Sequence, residues 1–164
     1  MILTPHAIVG AALANMFPND PALGFGLAFF SHYALDILPH TEYDIGNLFD
    51  KKTKTLNSIF KNSKAVLNLL FILSDFALAV ILCVLFFVRD EKSAFITIVG
   101  IAGGLLPDFF QFLYYKFKCQ PWIFIQKIHN KLHKIIKVKN EKFWGTFLQI
   151  VIPIFSIVIY FLLK

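Results

Sequence analysis

The sequence predicts an all-α fold: a polytopic membrane helical bundle with an N-terminal helical hairpin and a cytoplasmic amphipathic helix, in a single domain over 1–164. Three observations predict it. Hydrophobic residues make up 57% of the 164, and the mean hydropathy is +0.67, more apolar than a soluble core of this size hides. Runs free of Lys and Arg cover 65–88 and 93–115, and 143–163 carries no charge at all. Each reaches the roughly 20 residues that cross a bilayer. No stretch alternates with the period of a strand.

The elements follow in order. Thr4-Pro5 is a helix-start signal, with Thr4 as N-cap and Pro5 at the first helical position. With no basic n-region before it, this segment reads as a mature helix, not as a cleaved signal. It runs to about Phe17 and stops at Pro18-Asn19-Asp20-Pro21, a turn signal. A second helix is expected over about 22–40, making a hairpin that is tilted or re-entrant because its first arm is short. Residues 41–64 are polar and carry five lysines. Helices over 65–88 and 93–117 flank the tight turn Arg89-Asp90-Glu91-Lys92. Residues 116–142 hold eight lysines and an amphipathic segment, and a last helix covers 143–163.

The net charge of +6 comes from lysines outside the apolar runs, a pattern of membrane topology and not of nucleic-acid binding. The partners expected are membrane lipids, and a lipid or amphiphilic substrate. Cys83 and Cys119 supply no disulfide framework. Placing both lysine-rich loops in the cytoplasm puts His6, His32, Asp36, His40, Asp108, His129 and His133 at or near that side of the inner membrane.

Ionisable groups in apolar helices are costly and mark function. His32, Asp36 and His40 follow one another at four-residue spacing, as do His129 and His133. Positions i and i+4 lie about 6 Å apart along a helix, so neighbours in the series can share an ion while His32 and His40 cannot. Asp36 is then the natural centre, pairing with either histidine or bridging two ions. In the amphipathic segment Ile125, Ile128, Leu132, Ile135 and Ile136 form one face opposite Lys127, Lys131 and Lys134, with both histidines on the flank. A zincin protease would need Glu after His129, where this chain has Asn130.

Gly100, Gly103 and Gly104 let another helix come close, and Pro107 precedes Asp108, read either as a ligand delivered by a broken helix or as a residue reaching the interface. Asp75, near mid-span, either orders a ligand histidine or bonds a neighbouring helix. Glu42 and Asp44 are candidate general bases, against the alternative of solvated loop carboxylates.

Thr4-Pro5-His6, Ser31-His32 with Asp36 and Pro39-His40, and Gly103-Gly104-Leu105-Leu106-Pro107-Asp108 together resemble the membrane-bound metal-dependent hydrolases of bacteria and archaea. The likeness covers about 1–44 and 99–133. It implies a small helical inner-membrane protein with a His/Asp metal site and hydrolase activity. Where many members continue with an Asp-His pair, this chain has Phe110 and Gln111.

The expectation is a hydrolase holding a divalent metal, Zn²⁺ by ligand type, and cleaving an ester or phosphoester of a lipid or amphiphile. Three alternatives stay open: a metal-ion or proton transporter relaying through Asp75, a bis-histidine haem protein, and a membrane protein with a purely structural metal.

Overall fold

The computed structural model describes residues 1–43, 63–133, 135–136 and 138–164. Among these the chain is all-helical: α1 Leu3–Met16, α2 Pro21–Asp36, α3 Ser63–Phe87, α4 Glu91–Phe117, α5 Trp122–Leu132 and α6 Glu141–Leu163. Three of them, α3, α4 and α6, are long and apolar enough to cross a membrane.

The shortest of the apolar helices is the core. At 14 residues α1 is about 21 Å long, yet it packs against α2, α3, α4 and α6 alike. A helix that is apolar all round is buried all round, and most of α1 from Pro5 to Asn15 is buried. Ala7, Ile8, Ala11 and Ala12 meet Ala79, Cys83 and Phe87 of α3 and Tyr160 of α6. By contrast α3 and α6 keep large apolar side chains on the outside, among them Leu70, Phe71, Leu85, Ile154 and Phe155.

Small residues set how close α1 and α2 come to α4. A Cβ on Gly100 would lie 2.5 Å from the Gly10 carbonyl oxygen, and one on Gly103 would lie 2.7 Å from that of Phe25. Only glycine permits either approach. Gly104 faces the backbone of His6 in the same way. The glycine row thus seats both arms of the hairpin, and with them His6 and His32, on one face of α4.

The helix ends differ from expectation in instructive ways. Helix α2 begins at Pro21, inside what reads as a turn, with the Asp20 side chain accepting from the Leu23 N–H at 3.0 Å and Pro21 in the first turn. In α4 Asp90 and Ser93 form a reciprocal capping box. Thr4, however, is not the cap of α1: the helix starts at Leu3, and Ile2 at the cap position offers no side-chain acceptor. The acceptor comes from α3. Asp75 Oδ2 receives the N–H groups of Leu3 at 2.7 Å and Thr4 at 3.1 Å, and its Oδ1 receives the Thr4 hydroxyl at 2.6 Å.

Helix α2 ends at Asp36, not near 40; Pro39 disfavours helix at the residue before it. Helix α4 runs unbroken through Pro107, so Asp108 is delivered by an intact helix.

Candidate metal centre

Asp36, the last residue of α2, lies at the centre of the five histidines and is 1% exposed. Its Oδ1 is 3.3 Å from His6 Nε2, 4.0 Å from His40 Nε2 and 3.4 Å from the Met1 nitrogen. Its Oδ2 is 3.1 Å from His32 Nε2, 3.5 Å from His129 Nε2 and 2.9 Å from His133 Nε2. Asp108 approaches from α4, its Oδ1 3.6 Å from His32 Nε2. Glu42 stands at the open edge, 3.0 Å from His133 Nδ1 and 3.3 Å from His40 Nε2.

Each contributor arrives by a different local device. His6 rides on the first turns of α1, held by Asp75. His32 is fixed by its far nitrogen: Nδ1 donates to the Gly104 carbonyl at 2.8 Å. That bond turns Nε2 toward two carboxylates, 3.1 Å from Asp36 Oδ2 and 3.6 Å from Asp108 Oδ1. His40 lies past the end of α2, and its Nδ1 donates to the Leu38 carbonyl at 2.7 Å, which again turns a bare Nε2 inward. Commitment of the second ring nitrogen to a carbonyl is how ligand histidines are oriented.

Helix α6 holds the His40 segment in place. Gln149 Nε2 donates to the Thr41 carbonyl at 2.8 Å and the Thr41 hydroxyl donates to Gln149 Oε1. A Cβ on Gly145 would come within 2.8 Å of the His40 carbonyl carbon. Histidine 129 comes from α5, and His133 caps that helix with its N–H on the His129 carbonyl.

Hydrogen bonding alone does not satisfy this cluster. Both nitrogens of His6, His32 Nε2, Asp36 Oδ2, Asp108 Oδ2 and His129 Nδ1 are buried without a hydrogen-bond partner. Orphaned buried polar atoms are rare and costly. His129 Nε2 and His133 Nε2 face each other at 2.7 Å, and the His6 and His32 rings stack with centroids 3.9 Å apart. Two atoms bound to one tetrahedral ion at about 2.0–2.1 Å sit roughly 3.3 Å apart, close to the 3.1 Å, 3.3 Å and 3.5 Å that separate His32, His6 and His129 Nε2 from the Asp36 oxygens.

Four overlapping groups have ligand atoms within 4.8 Å of one another: His6–His32–Asp36, His32–Asp108–His129, Asp36–His129–His133 and His40–Glu42–His133. The described His/Asp residues could hold a metal ion, and the donor set of imidazole and carboxylate fits one.

Charge divides the outer members. Burial pushes the His133 ring down, but its hydrogen bonds to Asp36 and Glu42 outweigh that and raise it to about 9. His129, with burial dominant, is lowered to about 4. Glu42 is held below the ordinary carboxylate range by His133 and then His40 and is 61% exposed along its side chain.

All seven residues expected as ligands, His6, His32, Asp36, His40, Asp108, His129 and His133, meet in this cluster, with Glu42 beside it. Asp44 lies outside the described residues. Asp75 touches no histidine; it binds α1 and accepts from the Tyr43 hydroxyl. The sequence gives little warning of the Gly104 carbonyl or of the α6 clamp. Gln149, the only amide or charged side chain in 143–163, and Gly145 beside Trp144 are the two signals that point to it. No family model, curated protein or solved structure matches the chain.

Proposed function

We propose that the protein is an integral membrane hydrolase whose His/Asp cluster holds one or two divalent cations, Zn²⁺ by ligand type, at the cytoplasmic face. Its substrate is an ester or phosphoester of a lipid or amphiphile. One observation carries this proposal: unpartnered, buried ligand atoms from α1, α2, α4 and α5 gather around the two oxygens of Asp36. So many unpartnered nitrogen and oxygen atoms around one carboxylate are costly in a buried site, and a cation held among them would relieve that cost. Imidazole-rich nitrogen and oxygen sites suit zinc. The three apolar helices support the membrane assignment, and the lysines of α5, next to the cluster, support the orientation. The resemblance to membrane-bound metal-dependent hydrolases agrees with both.

The residues divide the work by depth. His6, His32 and Asp36 form the sealed floor, and Asp36 can serve two neighbouring ions through separate oxygens. His129, His133 and Asp108 hold the outer position. A divalent ion bound there supplies a Lewis acid and makes water nucleophilic near neutral pH. Glu42, at the open edge 3.0 Å from His133 Nδ1 and 3.3 Å from His40 Nε2, would be placed to take a proton from the attacking water. The water oxygen joins the acyl carbon or phosphorus as the ester oxygen leaves, and the departing alcoholate takes up the proton from Glu42.

A structural metal is the second reading, favoured by the complete burial of His6 and His32. Elemental analysis of detergent-purified protein tests the shared premise: bound zinc is expected in wild type, and no transition metal at all would reject both readings. Glu42→Gln then separates them. Under the hydrolase reading it keeps metal and loses turnover of ester and phosphoester lipid substrates, while unchanged turnover would remove Glu42 as the base.

A further inference from the structure

Between α3, α4 and α5 lies a cavity of about 750 Å³, inside the roughly 300–1,000 Å³ range of ligand pockets. Its two ends differ in chemistry. Glu42, Asp108, His129 and His133 reach one end, where Asp108 Oδ2 and His129 Nδ1 have no hydrogen-bond partner. Ile72, Leu105, Phe109 and Phe112 line the other. Phe109 is 52% and Phe112 41% exposed, so the apolar end opens sideways onto the face that a bilayer would cover. Asn130 stands at the polar end; its Oδ1 accepts from Gln126 at 2.8 Å, which leaves its N–H donors for a head-group oxygen.

No lysine or arginine lines this cavity among the described residues. The Met1 ammonium, 3.4 Å from Asp36 Oδ1, is the cationic group on its wall among the described residues besides the histidines, and cations held by those histidines would add to it. Two divalent ions together with the Met1 ammonium would carry two charges more than Asp36, Glu42 and Asp108 neutralise, so an anionic group completes the balance. A carboxylate whose two oxygens serve separate ions also suits a phosphoryl group, which two-ion sites clamp by separate oxygens.

We propose that the cavity binds a bilayer lipid with a phosphate head, entering sideways between α3 and α4, its phosphate at the His/Asp cluster and its hydrocarbon chain against Leu105, Phe109 and Phe112. This rests on the metal-dependent hydrolase reading and names its substrate class, a lipid phosphoester. Moving a chain from bilayer to cavity exchanges one apolar surrounding for another, so the phosphate supplies the affinity and the cavity wall the selection.

The test uses the full chain in lipid nanodiscs containing phosphatidic acid with a diazirine in its acyl chain. After irradiation, adducts are mapped by peptide mass spectrometry, with Ile154 and Phe155 on the outside of α6 as the control for general lipid contact. Adducts on residues 105–112 are expected to exceed the control several-fold and to fall about tenfold, the loss of one ionic contact, when a chelator strips the metal. Ile72→Trp and, independently, Leu105→Trp fill the apolar wall from opposite helices and should remove those adducts with metal content unchanged.

Equal labelling of α4 and α6, labelling that survives both substitutions, or equal labelling by a neutral diacylglycerol probe overturns the proposal. Elemental analysis of the same samples keeps the two ideas apart. Metal-loaded protein without preferential labelling defeats the lipid cavity and leaves the metal centre intact. Protein that labels but holds no metal defeats the hydrolase reading and the phosphate anchor together.

Discussion

His6 and Asn15 are both buried polar side chains on α1, two and a half turns apart, and the fold treats them in opposite ways. Asn15 Nδ2 donates to the Ala11 carbonyl and to Thr97 Oγ1 of α4, each at 2.9 Å. His6 has no hydrogen-bond partner on either nitrogen. At the Asn15 end the helices supply everything that the buried group needs. At the His6 end they leave both ring nitrogens unpartnered beside an acid that the Met1 ammonium approaches at 3.4 Å. The one end serves stability, and the other is poised for a ligand.

Asp36→Ala breaks the comparison most severely. It should weaken metal binding more than about a hundredfold, beyond the loss typical of a residue that merely supports a ligand, as read by elemental analysis and chelator competition. Asn15→Ala should bind metal as wild type does. Equal metal retention in the two variants would erase the distinction between the ends.

Chelation comes next. With free metal at about a hundred times its dissociation constant, bound metal adds about 2.7 kcal/mol to stability. Thermal unfolding with and without chelator should show that loss in wild type and in Asn15→Ala, and no shift in Asp36→Ala.

Two glycines sharpen the contrast. Gly100→Ala forces a methyl group against the Gly10 carbonyl and should cost about 1–3 kcal/mol by overpacking, lowering the melting temperature while metal content holds. Gly145→Ala pushes instead on the His40 backbone and should weaken metal binding about tenfold. A variant series in which both changes move stability and metal together would mean that the two ends are not separate.

The pH dependence has a definite sign. His133 is raised from 6.5 to about 9, so its proton stabilises the metal-free fold fully below 6.5, and that contribution is lost as pH rises through about 9. A metal must displace this proton, so affinity should rise with pH up to about 9, by as much as about tenfold per unit. Titration calorimetry in buffers of different ionisation enthalpy would count the proton released; a count of zero would remove His133 from the ligands. The smallest effect belongs to Asn15→Ala itself, about 1 kcal/mol for a lost buried hydrogen bond, measured by denaturation.

Much of this was legible before any coordinates. Long apolar runs without Lys or Arg declare α3, α4 and α6, because a helix of that length and composition leaves a mark no loop imitates. The i, i+4 series identified Asp36 as central, since helical geometry alone rules that His32 and His40 need an intermediary. His6 and Asp108 are single residues with no local pattern, and only the glycine row hinted that their helices pack together. Thr4 was misread as a cap because a cap signal is local, whereas the acceptor actually used, Asp75, is 71 residues away. Likewise Pro39 pointed to a helix end near His40, but not to the turn of helix given up before it.

The cross-helix anchoring of α1 bears on how a newly made chain matures. Until the ribosome has delivered Asp75, the Thr4 amide lacks the acceptor it has in the fold, and the Leu3 amide can use only the Tyr43 hydroxyl. His129 and His133 emerge later still. The ligand atoms of the cluster therefore come together only when the later helices dock on the earlier ones. Chains truncated after residue 42, lacking both Tyr43 and Asp75, should leave the Leu3 and Thr4 amides open to rapid hydrogen exchange; protection there would show that α1 is self-sufficient.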